Sequence, residues 1–278
     1  MQTPGQLVLL GQPVAHSLSP VFQNAALRAA GLEIRYAAVD VSAANLALTL
    51  RALVATHAAG NVTIPHKESV AALCDELTPL ARRLGAVNTW WSVDGMLHGD
   101  NTDVGGFDDA VRALLGNLPH AVKVAVLGAG GSARAVVAAI SAWPECRCAI
   151  WSRTPERAAA LVTLGPAHRT TAEEFMADAL RGADLVVNTT PIGMRDEQVP
   201  VHPGVLHRGA ACLDLVYRRG GTTPFVQLAR AQGRRADDGL PMLIAQGARS
   251  WRQWFDGIVP DRDVMRQAAL RAGFAAAE

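Results

Sequence analysis

The chain has 278 residues, half of them hydrophobic, and a formal net charge of +1 at pH 7. This length can form two domains with sizeable cores, and this hydrophobic fraction excludes a disordered chain. The balanced charge creates no field that would attract nucleic acid or a membrane, so we expect a small-molecule partner. The chain has four cysteines, Cys74, Cys146, Cys148 and Cys212. Because they are few and irregularly spaced, we expect reduced thiols and no metal site.

The first part of the chain alternates predicted strands with predicted helices. Strands are expected at residues 7–14, 34–41 and 61–64, and helices at 19–30 and 44–57. This alternation predicts a mostly parallel sheet with crossover helices. Ser19 followed by Pro20 predicts a helix start with the serine as its cap.

The pattern then changes from alternation to short helices and a hairpin. The short helices are expected at 66–74 and 79–84, and Asp94-Gly95 separates two strands at 88–93 and 96–98. An Asp-Gly pair between such runs is typical of a two-residue hairpin turn. A longer helix is expected at 103–115.

A glycine turn in the middle of the chain follows a buried apolar strand and opens a helix. Gly128 permits the tight turn, Gly130 lets the backbone approach a pyrophosphate, and Ala133 allows the helix to pack closely on the strand. The free N–H groups of the helix start attract anionic oxygens. The predicted cradle comprises Gly128, Ala129, Gly130, Gly131, Ser132 and Ala133. On its own such a turn can also bind nothing.

The next predicted strand, 147–151, indicates which dinucleotide this cradle holds. It ends in Ser152-Arg153-Thr154, and Arg157 follows at the start of a helix. Enzymes that prefer NAD usually have a carboxylate at this strand end, whereas arginine accommodates the 2′-phosphate of NADP. Because the nearest acid is Glu156 in the helix, the sequence favours NADP. The alternative is ordinary solvated charge at a helix start.

Further strands at 184–188 and 211–216 continue this second α/β part, and two helices at 240–255 and 262–274 follow without a strand between them. We therefore predict an α/β protein of two domains. Residues 1–104 form a substrate domain with a mostly parallel sheet, on which the C-terminal helices 241–278 pack back. Residues 105–240 form a Rossmann-type, doubly wound NADP-binding domain.

Polar clusters in the first part carry the chemistry. The hydroxyls of Ser17 and Ser19 near a helix start suit a carboxylate, although Ser19 could merely cap the helix. The short strand predicted at 61–64 brings Asn61 and Thr63 to the same face, and Lys67 lies in the first turn of the next helix. A cation there opposes the helix dipole, which favours a functional lysine over a solvated one.

Two more clusters, Gly85-Ala86-Val87-Asn88-Thr89 and Gly99-Asp100-Asn101-Thr102-Asp103, flank the predicted hairpin. Asp103 is either a functional carboxylate or a helix cap. Together the clusters supply a lysine, carboxylates, amides and hydroxyls near a predicted NADP site. These groups can hold a polyhydroxy carboxylic acid and move a proton while a hydride moves.

These motifs, in this order and spacing, resemble the shikimate dehydrogenase family over nearly the whole chain. The segments that carry the resemblance are residues 16–20, 61–67, 85–89, 101–103 and 128–131. The resemblance implies reversible, NADP-linked reduction of 3-dehydroshikimate to shikimate, a step of aromatic amino acid biosynthesis.

The resemblance also implies a role for individual residues. Lys67 and Asp103 would form the catalytic pair. The implied substrate contacts are Ser17 and Ser19 at the carboxylate, Thr63, Asn88 and Gln246 at the hydroxyl ring or carboxylate, and Tyr217, which would help close the site. Gly239 would lie near the nicotinamide, and Asn188, Thr189 and Thr190 along the cofactor.

Three alternatives remain open at this point. The first two are relatives acting on quinate or aminoshikimate, although the resemblance associates quinate use with threonine at the position of Ser19. The third is a non-catalytic NADP-sensing protein, against which Lys67 and Asp103 argue. Without a basic stretch before Leu7 or a membrane span, we expect a cytoplasmic protein. A monomer or a homodimer is expected.

Overall fold

The computed structural model describes residues 3–218 and 221–273. The chain forms two compact units. The first unit contains the described residues up to Asp103 together with Ile244–Ala272, and the second contains Val104–Leu243. Within the first unit, the helix Arg262–Arg271 packs against the helix Ser19–Ala29.

Strands and helices follow the alternation expected from the sequence. The strands are β1 Leu7–Gly11, β2 Tyr36–Asp40, β3 Ala59–Val62, β4 Glu76–Leu77, β5 Thr89–Val93, β6 Met96–Asp100, β7 Lys123–Leu127, β8 Arg147–Trp151, β9 Thr170–Glu173, β10 Leu185–Asn188, β11 Ala211–Asp214 and β12 Ala236–Asp237. The α-helices are α1 Ser19–Ala29, α2 Leu46–Ala55, α3 Lys67–Leu73, α4 Pro79–Leu84, α5 Asp103–Leu115, α6 Gly131–Ala142, α7 Pro155–Val162, α8 Met176–Leu180, α9 Pro224–Ala231, α10 Leu240–Trp254 and α11 Arg262–Arg271.

The sheet of the first unit has the order β2-β1-β3-β5-β6-β4 and is mixed. Strand β1 is parallel to β2 and β3, whereas β5 is antiparallel to both β3 and β6. Strand β4 is also parallel to β6, so the prediction of a mostly parallel sheet is confirmed, and the exceptions are the antiparallel pairs of β5 with β3 and β6. The physical reason is the two-residue turn at Asp94-Gly95, which can join only antiparallel strands.

The sheet of the second unit has the order β12-β11-β10-β7-β8-β9, and all its pairs are parallel. Strand β7 comes first in this unit and lies between β8 and β10, so the strand order reverses at β7. This is the doubly wound arrangement, in which ligands bind at the carboxyl ends of strands beside the reversal. Strands β9 and β12 were not predicted, because both are short edge strands with polar residues.

Each unit has an apolar core of its own against its sheet. In the first, Leu46 and Leu50 of α2 and Val70 of α3 pack with strand residues such as Val8 and Trp90. In the second, the core comprises residues such as Ala125, Leu127, Val186, Phe225 and Val226. These cores hold the carboxyl ends of the strands in place, where the polar residues lie.

Several predicted boundaries are corrected by the structure. Ser19 is the first helical residue of α1 rather than its cap, and Leu18 takes the cap position without a side-chain bond. Strand β1 ends at Gly11, not at residue 14, because Pro13 has no N–H to donate to a ladder. Helix α11 ends at Arg271, and its predicted end at Phe274 lies outside the described residues.

All four cysteines are free thiols. Among the described residues, no helix combines the length and apolar character needed to cross a membrane. Over the same residues, no three His, Cys, Asp or Glu side chains are grouped as metal ligands would be.

Candidate active site

Lys67 and Asp103 form a close ion pair in the first unit. Lys67 is the first residue of α3 and Asp103 the first of α5, and Lys67 Nζ lies 2.6 Å from Asp103 Oδ2. Their side chains are only 13% and 6% exposed. Asp103 is the first helical residue of α5 rather than its cap, and its own N–H donates to the side-chain oxygen of Asn101 at 3.1 Å. The pair is thus neither a solvated lysine nor a capping aspartate.

Asn88 holds the carboxylate of this pair. Its amide nitrogen donates to Asp103 Oδ1 at 2.8 Å and to Gln246 Oε1 at 3.0 Å, and lies 2.9 Å from Thr102 Oγ1. The Asn88 oxygen accepts the backbone N–H of Thr102 at 2.7 Å, which fixes the orientation of the amide. Asn88 is 1% exposed. The structure therefore joins four of the predicted residues, Lys67, Asp103, Asn88 and Gln246, by direct bonds.

A second layer of buried polar groups supports Asn88 from behind. Asn61 donates to Ser250 Oγ at 2.9 Å and to the backbone oxygen of Asn88 at 3.0 Å, and accepts the hydroxyl of Tyr36 at 2.8 Å. Burial raises the pKa of Tyr36 well above its usual value, while a hydrogen bond with Ser19 acts in the opposite direction. Asn61 therefore serves as support rather than as an exposed ligand.

Sequence reasoning missed Tyr36 and Ser250 in this layer. Thr102, which also bonds Asn88, lies in the polar cluster Gly99-Asp100-Asn101-Thr102-Asp103 that the sequence analysis identified. Tyr36 begins an ordinary strand, and Ser250 lies within a helix, where neither a turn nor a motif marks it.

The remaining predicted substrate residues of the first unit lie at the ends of its elements. Ser17 is half-buried, and its hydroxyl oxygen accepts the N–H of Ser19 at 3.2 Å. Ser19 is buried, and Thr63 is half-buried directly after β3. Within the described part of the chain, neither Ser17 nor Thr63 bonds to the Lys67–Asp103 pair.

The glycine turn of the second unit has the features of an anion cradle. Gly128 has φ +113°, and a Cβ there would lie 2.4 Å from Thr189 Oγ1, so only glycine fits. Helix α6 starts after Gly130 with no side-chain cap and no acidic residue in its first turn. A Cβ on Gly130 would meet nothing within 4 Å. Open space in front of uncapped N–H groups fits the pyrophosphate of a dinucleotide.

The loop after β8 presents two arginines. Arg153 and Arg157 are both exposed, and within the described residues neither side chain has a bonding partner. The loop is shaped by the N–H of Thr154, which donates to Ser152 Oγ at 3.2 Å. The arginines are therefore free to bind a 2′-phosphate.

Asn188, Thr189 and Thr190 lie at the end of β10, but the three differ in access. Asn188 is fully buried: its nitrogen donates to Asp214 Oδ1 at 2.8 Å, and its oxygen accepts the N–H of Thr190 at 3.0 Å. Thr189 and Thr190 are half-buried. Contact of the Asn188 side chain with the cofactor stays a prediction, and here it acts as a support for Thr190.

Gly239 and Tyr217 lie on neighbouring loops of the second unit. The N–H of Gly239 donates to the backbone oxygen of Val216 at 2.9 Å, and a Cβ on Gly239 would collide with Leu215 O at 2.2 Å. Tyr217 is half-buried. Their predicted ligand contacts stay predictions.

Comparison with known proteins matches both ends of the chain to one family. The substrate-binding domain of shikimate dehydrogenase matches residues 9–90, and the C-terminal domain of shikimate 5′-dehydrogenase matches residues 239–270. An NADP-dependent shikimate dehydrogenase of Thermus thermophilus is 40% identical, with 96% of this chain and 98% of the relative aligned. The chain belongs to the shikimate dehydrogenase family.

Two further comparisons agree with this assignment. The shikimate dehydrogenase (NADP(+)) of Rubrobacter xylanophilus is 42% identical, with 95% of each chain aligned. A crystal structure of shikimate 5-dehydrogenase from Thermus thermophilus, in complex with NADP(H) and shikimate, matches with a TM-score of 0.85 and 39% identity, covering 96% of this chain and 99% of that one. The family and the two-domain α/β fold class expected from the motifs are confirmed.

Proposed function

We propose that this chain catalyses the reversible, NADP-dependent reduction of 3-dehydroshikimate to shikimate, a step of aromatic amino acid biosynthesis. The observation that carries the proposal is the nearly buried Lys67–Asp103 pair, 2.6 Å apart, in a chain of this family. The names of the relatives, shikimate dehydrogenase (NADP(+)), confirm the enzyme class and the cofactor that the motifs predicted.

Lys67 delivers or relays a proton to the C3 oxygen of the substrate as the carbonyl is reduced. When NADPH is bound by the second unit, it would supply the hydride. Asp103 orients the lysine ammonium through its Oδ2, while Asn88 holds the other carboxylate oxygen, so the proton donor has a defined position. A positioned donor of this kind contributes roughly 10²- to 10⁴-fold in rate.

The substrate is held by hydroxyl and amide groups of the first unit. Ser17 and Ser19 bind the carboxylate, since hydroxyl donors near a helix start suit an anion. Thr63, Asn88 and Gln246 contact the hydroxyl ring or the carboxylate. Tyr217 of the second unit stays a predicted substrate contact.

The cofactor is held by residues of the second unit. The cradle takes the pyrophosphate and the loop after β8 takes the 2′-phosphate, since both present free donors. The proposed contacts are Gly128, Ala129, Gly130, Gly131, Ser132, Ala133, Ser152, Arg153, Thr154, Arg157, Asn188, Thr189, Thr190 and Gly239. In this assignment residues 1–104 with 241–278 are the substrate domain and residues 105–240 the NADP-binding domain.

A cytoplasmic location and a monomer or homodimer complete the proposal. The proposed location fits a reaction between small, charged metabolites that need no membrane. Size-exclusion chromatography with light scattering measures the oligomeric state directly.

Replacement of Lys67 tests the proposed proton transfer. Lys67→Ala should lower kcat for shikimate oxidation by about 10²-fold or more while the circular dichroism spectrum stays that of the wild type. Lys123→Ala is the matched control, because Lys123 is the only other lysine of the chain and bonds backbone oxygens of Asp178 and Arg181 in the second unit. Near-normal turnover by Lys67→Ala would contradict the proposed proton transfer by Lys67.

A panel of substrates tests the activity itself. Shikimate and quinate are each assayed with NADP⁺ and NAD⁺ by the absorbance of the reduced cofactor. The pair shikimate and NADP⁺ should give the highest kcat/KM. A preference for quinate would favour the related quinate enzyme, and no turnover with either substrate would favour an NADP-sensing protein.

A further inference from the structure

Asp214 is a buried carboxylate at the end of β11, outside the residues proposed to touch substrate or cofactor. It has no exposed surface. Its Oδ1 accepts the side-chain amide of Asn188 at 2.8 Å and the backbone N–H of Val216 at 3.1 Å, and its Oδ2 accepts the hydroxyl of Thr223 at 2.6 Å. One carboxylate thus joins three separate points of the second unit.

Only neutral donors satisfy this carboxylate. No ion pair among the described residues involves Asp214, and burial raises its pKa to about 6 although the three hydrogen bonds lower it. Above that pH the chain keeps a buried charge without a counter-ion, which is costly compared with an apolar or amide side chain. A buried charge of this kind is therefore a candidate for a role in positioning other groups.

The bonds of Asp214 lead, through Asn188 and Val216, to two proposed cofactor contacts beyond Asn188 itself. On one side, Asn188 passes the restraint to Thr190, whose N–H and hydroxyl both donate to the Asn188 oxygen, at 3.0 and 2.7 Å. On the other side, Val216 is held by Asp214 through its N–H and accepts the N–H of Gly239 at 2.9 Å through its oxygen. Thr190 and Gly239 therefore depend on the same carboxylate.

We infer that Asp214 is a positioning residue for NADP, which holds the Thr190 and Gly239 segments in their binding conformation through Asn188 and Val216. The inference deepens the proposed function and rests on its assignment of NADP to the second unit. Two carboxylate oxygens accept from all three donors at once, whereas an amide has a single acceptor oxygen and forms weaker, uncharged bonds.

The test is Asp214→Asn in the full chain, with NADPH binding measured by fluorescence titration in the absence of substrate. The dissociation constant for NADPH should rise by about fivefold or more, as expected for losing a charge-assisted restraint. The KM for shikimate at saturating NADP⁺ and the melting temperature at pH 7.5 should not worsen, because the variant also removes a buried charge. Asp178→Asn, at a partly exposed carboxylate paired with Arg181, is the charge-matched control and should leave binding unchanged.

A double-variant cycle with Thr190→Val shows whether Asp214 acts through Asn188. If it does, the combined loss of NADPH affinity should be clearly smaller than the sum of the two single losses. Unchanged NADPH binding by Asp214→Asn, within about twofold, contradicts the inference, as do additive losses together with a lowered melting temperature. A wild-type chain that binds NADPH but does not turn over shikimate contradicts the proposed function alone, since the binding test does not need turnover.

Discussion

Lys67 occupies a position that is unfavourable for a cation, and an opposite charge compensates for it. A cation in the first turn of a helix opposes the helix dipole. The carboxylate of Asp103 lies 2.6 Å away and offsets this unfavourable position. The lysine is therefore held by a specific opposite charge, and removing either partner leaves a largely buried charge without its ion pair.

Arg153 carries the preference for NADP over NAD in this assignment. Arg153→Ala should weaken NADP⁺ binding by about 1.5 to 3 kcal/mol, the range for a hydrogen bond to a charged group, and scarcely affect NAD⁺. Dissociation constants for both cofactors give the measurement. Arg147→Ala is the control, since Arg147 is an exposed arginine at the opposite end of the same strand. Equal losses with both cofactors would contradict the assigned phosphate contact.

The glycine turn between β7 and α6 acts as one element, although its two key glycines differ. Gly128 is required for the backbone, because its φ is positive and a Cβ would collide with Thr189. Gly130 is not required by its own neighbourhood, since a Cβ there meets nothing and its φ of −91° suits any residue. Its role is therefore to leave space in front of the helix start.

Gly130→Ala tests whether Gly130 is needed for cofactor binding rather than for the stability of the fold. The substitution should change the free energy of unfolding by about 1 kcal/mol or less, as for other cap positions, and raise the KM for NADP⁺ by about tenfold or more. Urea unfolding measures the free energy of unfolding, and steady-state kinetics measures the KM for NADP⁺. Gly209→Ala, at an exposed turn of the same unit, is the control. The cradle assignment is wrong if Gly130→Ala binds NADP⁺ as well as the control does.

At the scale of elements, prediction succeeded where a signal lies within a few neighbouring residues. Helix α5 and strand β8 have the bounds that the sequence indicated, and Asp94-Gly95 does form the hairpin turn. Strands β4, β9 and β12 escaped prediction because two to four residues give too short a pattern. Their pairing comes from neighbouring strands that supply the ladder.

For the whole molecule, buried carboxylates make stability depend on pH. Burial raises the pKa values of Asp214 and Asp238 from 3.8 to about 6. Their favourable contribution is complete below about pH 3.8 and is lost as the pH rises through about 6, because the folded chain must then hold the charge. A shift of this size corresponds to up to about 3 kcal/mol for each group.

Asp238→Asn tests this dependence. The carboxylate of Asp238 accepts the N–H of Leu240 at 2.9 Å, and an asparagine oxygen can accept it too. Between pH 4 and pH 7, the free energy of urea unfolding should therefore fall less in the variant than in the wild type. Asp261→Asn, at the exposed cap of α11 in the first unit, is the control. Parallel curves for Asp238→Asn and the wild type would show that burial of Asp238 does not set the pH dependence.

The sequence by itself determined the fold class, the glycine turn and the arginines after β8, because each rests on periodicity or on a local motif. It also singled out Lys67 and Asp103 as the proposed catalytic pair. Tertiary structure alone decided which groups hold that pair in place. Asn88 meets Gln246 across 158 positions, and Tyr36, Asn61 and Ser250 meet only when three elements pack together. A buried polar group needs a hydrogen-bond partner, and that partner can come from a distant part of the chain, so a local sequence pattern cannot identify it.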